Sequence, residues 1–378
     1  MSVVRSTRVL AAVVLCGGLA ACGSRGSTGQ SVTSSPSPTA TGQRGLSVVE
    51  SVANPAGPAI WAIRSTQVMR STDEGTTWVD VTPGKVATIF GYLAFNDVQA
   101  YVASPSTSGD IDVFVTRDGG VSWTPTSIHV DTAAGGGNSV FIAMADESRG
   151  LLSVETIHGA STAEVVLFRT DDGGSSWTQL GPQDLVGPLA FSDANHVWAS
   201  AEPEGQELLE SNDGGETWSP VTLPLPATKE FTTVGTPQFY ASDGVVLVMQ
   251  GQTMLTFHSA DGGATWTALH QSVTDPNAAL PATFVPFALA DPNHIYVGFR
   301  GQLLQTSVNA SAWTPVGPSI PGFVASIDGF EDHAAAVLEQ SSCSKTANSC
   351  SVASTVVETS NAGGSWSVAD PPPLTSTH

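Results

Sequence analysis

Carboxylates, arginines and tyrosines converging on one cleft could cleave a glycoside, and this sequence has candidates for each part. Two opposed carboxylates would supply the acid and its partner. Glu50, Glu230 and Asp328 are the acidic exceptions on innermost strands that are otherwise almost purely apolar, and all three are expected at strand ends, where a structural role fits as well. An arginine clamp for a substrate carboxylate could draw only on Arg64, Arg149 and Arg300. Arg25 and Arg44 lie in or beside an N-terminal linker, and Arg70, Arg117 and Arg169 lie in or next to repeated turns. Tyr92, Tyr101, Tyr240 and Tyr296 sit in apolar strand patterns that suit core packing. Ser153, Asp131 and His158 can be written as a hydrolase triad, but no Gly-x-Ser-x-Gly elbow exposes the serine. His196 and His294 follow Asp193 and Asp291 at equivalent repeat positions, which a repeated turn explains better than a metal site does. Gly135 to Gly137 precede a strand rather than a helix, so they do not form a phosphate loop. No metal and no cofactor is expected.

The cysteines carry a different chemistry. Arg5 and Arg8 open the chain, Val9 to Leu15 form a short apolar core, and Leu19-Ala20-Ala21-Cys22 ends on small residues before a thiol. This is the layout of a secretory signal over 1–21, too short to span a bilayer. Leu-Ala-Ala-Cys looks like a lipobox, so Cys22 is expected to be acylated and to place the protein outside the cytoplasm on the cell membrane; a plain secretory peptide is the alternative. Residues 22–44 form a Gly/Ser/Thr/Pro tether whose composition cannot bury a core. Cys343 and Cys350 fit a local disulfide across Ser344 to Ser349, which an oxidising compartment would preserve. A zinc site is the competing reading, and it lacks nearby histidines.

All 34 acidic residues but only 11 of the 13 basic ones follow Cys22, leaving this part with 11 minus 34, or −23. Nucleic acid is an unsuitable partner for such a surface. The acidity suits solubility outside the cytoplasm, and it also permits a basic ligand.

The elements that would hold any site are set by a repeat. Seven of nine tryptophans close related octapeptides, five of them nearly complete: Ser71-Thr-Asp-Glu-Gly-Thr-Thr-Trp78, Thr116-Arg-Asp-Gly-Gly-Val-Ser-Trp123, Thr170-Asp-Asp-Gly-Gly-Ser-Ser-Trp177, Ser211-Asn-Asp-Gly-Gly-Glu-Thr-Trp218 and Ser259-Ala-Asp-Gly-Gly-Ala-Thr-Trp266. Two altered copies end at Trp313 and Trp366. The tryptophans are 45, 54, 41, 48, 47 and 53 residues apart, about one four-stranded blade each. In the octapeptide the carboxylates of Asp73, Asp118, Asp172, Asp213 and Asp261 can accept backbone N–H bonds. Gly75, Gly120, Gly174, Gly215 and Gly263 permit positive φ, and the indole plugs the turn. Val308 and Ala310 replace the aspartate and glycine before Trp313, while Asn361 replaces the aspartate before Trp366 and Gly363 is kept. Those two turns should be less firmly held. Upstream, apolar pairs of strands flank turns carrying Asp97, Asp146, Asp193, Asp243, Asp291 and Asp332. The expected fold is all-β: a single seven-bladed β-propeller of four-stranded blades over 45–372, with a six-bladed ring as the alternative, a terminal strand that could complete the first blade, and a tail at 373–378.

The octapeptide resembles the Asp-box or BNR repeat of sialidases, sortilin-type receptors, xyloglucanases and the photosystem II assembly-factor family. In those families the box joins the third and fourth strands of a blade, away from any active site. Similarity to the assembly-factor family implies a partner-binding scaffold. Its basic binding patch does not carry over to a chain with three lysines. The expected function is therefore a membrane-anchored, non-catalytic scaffold, a monomer, that binds a protein or glycan at the cell surface. Cys343 to Cys350, Asp131 to Asn138 and Thr156 to Ser161 are its candidate contact loops. A sialidase-like or xyloglucanase-like hydrolase is the alternative. Against it stand the missing Arg-Ile-Pro motif, and the single propeller where xyloglucanases use two.

Overall fold

The computed structural model describes residues 43–44 and 49–372, apart from 56, 65, 85, 87, 107, 131–138, 159–161, 202–206, 229, 275–284, 300, 319–321 and 345–348. The described residues form strands and turns without a helix. They build seven sheets, over 51–80, 91–128, 139–183, 185–221, 232–274, 287–316 and 323–368, each a consecutive antiparallel meander. This is the seven-bladed propeller, and the six-bladed ring is excluded.

Each sheet is too small to bury its own faces, so the core lies between blades. There are seven such clusters, one per interface, each including the box tryptophan of the blade that follows. Trp198, for example, is buried between blades 4 and 5, 5.6 Å from Phe239 and 5.8 Å from Trp266. Inner strands such as Gly91–Ala94 and Phe287–Asp291 are small and apolar because a neighbouring blade covers them on both faces.

Ring closure differs from the expected completion of the first blade. Blade 1 takes all four strands from 51–80, and the terminal pairing occurs on blade 7: Gln43–Arg44 lies parallel to Ser351 and Val352 on its third strand. The same strand is bordered further along by Ser367–Val368. Between blades 7 and 1, Asp328 Oδ2 accepts the Asn54 N–H at 2.9 Å. The buried Arg64 guanidinium donates to the Pro371 and Pro372 carbonyls at 3.1 and 2.7 Å, latching the C-terminal strap onto blade 1.

The meander sorts the connections between two faces. Turns joining first to second and third to fourth strands open on one face, and these include every box. Second-to-third turns and blade-to-blade connections open on the opposite face.

Candidate functional site

The box aspartates are fully engaged within their own turns. In blade 2, Asp118 Oδ1 accepts the Ser122 N–H at 2.9 Å, Oδ2 accepts the Ser122 hydroxyl, and Thr116 donates its hydroxyl to Oδ1 while accepting the Gly120 N–H. Asp73, Asp172, Asp213 and Asp261 repeat this arrangement. Hydrogen bonds from Ser122 hold the Asp118 carboxyl down to about 2, and those from Thr265 do the same for Asp261. At Asp213 partial desolvation opposes the bonds from Thr217, which prevail and bring it to about 2. These groups stay ionised at neutral pH, with their acceptor sites turned into the loop. They are poorly placed to move protons.

The two altered boxes diverge. Asn361 keeps the full pattern: its Oδ1 accepts from Thr359 and from the Ser365 N–H, and its Nδ2 donates to the Ser365 hydroxyl at 2.9 Å. An amide retains the geometry and loses only the charge, so this turn is not loosened in the way its sequence suggests. At Trp313, Val308 supplies no acceptor, and the turn relies on Ala310 N–H to the Ser307 carbonyl and Thr306 to the Ala312 carbonyl.

The structure gives the boxes two tasks beyond their own turn. In every blade a box N–H donates to a carbonyl of the first hairpin on the same face, as from Gly119 to Val98, Gly173 to Ser148, Gly214 to Asn195 and Ala362 to Asp332. The donor is in the left-handed region in six blades, at φ 55 for Glu74 and 57 for Ala362 among them. The next glycine packs against the preceding blade: a Cβ on Gly263 would lie 2.1 Å from Trp198, and one on Gly120 would lie 2.4 Å from Val81. A sequence read one repeat at a time cannot show this second requirement.

The first hairpins occupy the other repeated carboxylates. Asp193 accepts the Asn195 and His196 N–H groups and pairs with His196 Nδ1 at 2.5 Å, and Asp291 does the same with His294 at 2.7 Å. Each histidine is thus tied to its own turn, in separate blades. Asp243 instead bonds His258 across to the third strand at 2.8 Å. In blade 2 the turn is closed by Asn96 rather than Asp97, whose carbonyl receives Arg70 Nε at 3.0 Å.

Toward the axis, polar groups tie blades together. Thr236 donates to the Pro188 carbonyl, and Gln238 donates to the Phe287 carbonyl and accepts the Leu289 N–H. Asp328 lies within Phe323–Phe330, two residues short of its end, and is buried, which corrects its expected place at a strand end. Glu50 and Glu230 flank their inner strands, just before Ser51–Ala53 and Thr232–Val234. Tyr92, Tyr101 and Tyr296 are buried core residues, and burial, with Asp328 adding repulsion, pushes the Tyr92 hydroxyl well above its ordinary range. Tyr240 is half-buried, with its hydroxyl 3.3 Å from Glu331.

Arg64 is latched to prolines, and Arg300 lies outside the described residues, as do Cys22 and Asp131 to Asn138. Ser153 is buried in Gly150–His158, its hydroxyl without a partner. His158 ends the same strand, five positions further along, and its side chain lies outside the described residues. Thr156 to His158 belong to this strand, while 159–161 lie outside the described residues. The backbone positions of Cys343 and Cys350 are direct cross-strand partners, though their side chains lie outside the described residues.

A small polar cleft of about 70 Å³ lies on the box face between blades 3 and 4. Arg149, Arg169, Asp171, Asn195 and Asp213 line it, and Arg169 donates to Glu216 at 2.6 Å. It could admit a side chain.

Residues 179–316 match the family model described as photosynthesis system II assembly factor YCF48. Over those residues the chain is similar to that BNR-repeat assembly factor. The photosystem II assembly lipoprotein Ycf48 of Synechococcus sp. (strain CC9902) is 29% identical over 114 residues, 29% of this chain and 32% of that protein, so the match spans about a third of the relative's length. A structure of YCF48 from Cyanidioschyzon merolae superposes on 77% of this chain and 92% of its own, at TM-score 0.50 and 15% identity. Puromycin hydrolase superposes on 88% of this chain and 55% of its own, at TM-score 0.56 and 12% identity. At these identities the superpositions show the shared fold.

Proposed function

We propose that this chain is a membrane-anchored scaffold that binds a protein during assembly of a membrane protein complex, without catalysis. The observation that carries the reading is the engagement of its acids. Asp118 and Asp193 are occupied by their own turns and Asp328 by a blade-to-blade tie. The relationship to YCF48 supplies the function class. Acylated Cys22 would provide the anchor, and a Cys343–Cys350 bridge would pin the long blade 7 hairpin, His333–Ser344 with Ser349–Thr359.

Recovery of the intact lipoprotein from gently solubilised membranes, after chemical crosslinking, tests the proposal. The expected result is a saturable set of adducts with one integral membrane protein or complex. A glycan array run alongside separates the second ligand class named by the sequence. Saturable glycan binding with no protein adduct would contradict the reading.

A further inference from the structure

We infer that Cys343 and Cys350 form a redox clasp that decides whether the N-terminal strand Gln43–Arg44 is docked on the ring or released from it. The inference rests on the reading that these two cysteines are bridged.

The clasp sits on an arm that the rest of its sheet does not support. In blade 7 the second and third strands, His333–Ser344 and Ser349–Thr359, are the longest among the described residues. The inner strand Phe323–Phe330 accompanies them only as far as Glu339, which faces Phe323 on one side and Ser354 on the other. Five further pairs, from Gln340 with Ala353 to Ser344 with Ser349, extend past it. Apolar burial does not hold them, since Gln340, Ser342, Ser351 and Ala353 are exposed and Val352 is half-buried. A two-stranded ribbon of this kind is marginal in water, and a third strand or a crosslink is needed to fix it.

Both supports meet at the same place. Gln43–Arg44 lies parallel to Ser351 and Val352 and supplies the third strand. Cys343 and Cys350 are direct cross-strand partners, one pair closer to the tip than Ser342 and Ser351. Directly opposed Cα atoms are about 4.5–5.5 Å apart, inside the roughly 4.4–6.8 Å that a disulfide spans. The two supports are therefore coupled. A closed clasp holds Ser351 and Val352 extended before the N-terminal strand arrives, so docking orders that strand alone. With the clasp open, docking must order the arm as well, and two residue pairs offset little of that cost.

Ring closure lies outside the switch. Val49 donates its N–H to Ser354 Oγ at 2.6 Å, and Ser354 belongs to the supported part of the third strand, opposite Glu339. Opening the clasp thus frees the chain up to Val49 and leaves blade 1 in place. Exposed Ser342 and Ser351 leave the neighbouring end of the arm open to a redox partner. The reductant is an extracytoplasmic protein dithiol. One of its thiolates attacks a cysteine sulfur and the other resolves the mixed disulfide, so that two electrons and two protons pass to Cys343 and Cys350 while the reductant becomes a disulfide.

An arginine-specific protease reads the switch, because docking shields the bond after Arg44. The full mature lipoprotein is compared as purified, after reduction with a phosphine and capping of the thiols, and as the Cys343→Ser, Cys350→Ser double variant. Mass analysis follows the new N-terminus at Gly45, and hydrogen exchange follows the Val49 amide. Cleavage should be at least about tenfold faster in the reduced protein and in the double variant than in the oxidised protein, with Val49 protection retained. Equal rates, in a protein shown to hold no free thiol before reduction, would overturn the switch and leave the bridge standing. Faster cleavage with an equal loss of Val49 protection would mean general loosening and would overturn it too. Two free thiols in the protein as taken from membranes would overturn the bridge and the switch together.

Discussion

Replacing Gly263 by alanine isolates the blade-packing role of the second box glycine. Its φ of +99 is unfavourable for a residue with a side chain, and the new Cβ would sit 2.1 Å from Trp198. That indole cannot yield easily: it is 1% exposed, donates to Ser192 at 3.1 Å and packs against Phe239 and Trp266. Backbone strain of about 1–2 kcal/mol plus overpacking of about 1–3 kcal/mol gives a loss of roughly 2–5 kcal/mol. For a domain of this size that is about 3–7 °C in Tm. Gly262 in the same turn provides the control, because its φ is +73 and nothing lies within 4 Å of a Cβ there. Gly262→Ala should cost only about 1 kcal/mol, as the left-handed Glu74 and Ala362 at the same box position suggest. Thermal unfolding followed by tryptophan fluorescence compares the two. Equal losses would refute the idea that the glycine serves blade packing rather than turn geometry alone.

Further expectations concern acid, the strap and the bridge. The carboxyls of Asp118, Asp213 and Asp261 are lowered on folding to about 2, so the stability they contribute is full above the unfolded value near 4 and is lost as pH falls toward 2. The urea midpoint should fall steeply over that window, less so in Asp118→Asn; a midpoint flat to pH 2.5 would count against the turn network. Arg64→Ala removes two charge-assisted bonds, each typically worth about 1.5–3 kcal/mol, and should speed proteolytic trimming of the strap after Ala369; unchanged trimming would mean the latch is dispensable. Thiol titration of the unfolded mature protein without reductant should find no free cysteine at 343 or 350. Reduction should lower stability by roughly 2 kcal/mol for so small a loop, and two titratable thiols would remove the bridge.

Blade number and strand order were legible because a tryptophan recurs once per blade and the intervening apolar runs alternate with turn residues. The role of the box aspartate was legible too, since its partners lie within four residues. What the sequence concealed depends on ring closure. Arg64 could serve equally as a clamp in a cleft or a latch, and its partners lie more than 300 positions away. The contact of Gly263 with Trp198 likewise joins different repeats. Asp328 was misplaced because strand limits are the least certain part of a sequence reading. The Arg149–Arg169 cleft was missed for a related reason: Arg149 lies in the turn before the second strand of its blade and Arg169 in the third strand, and only the fold makes them neighbours.

The central claim is that the acidic and polar residues of this chain build the ring and leave a surface for binding. A panel of fluorogenic glycosides, including sialosides, tests it most directly when assayed on the wild-type protein and on Asp328→Asn and Glu230→Gln. The account predicts no turnover above background with any of the three. Turnover by the wild-type protein that is abolished by either substitution while the fold is retained would contradict it.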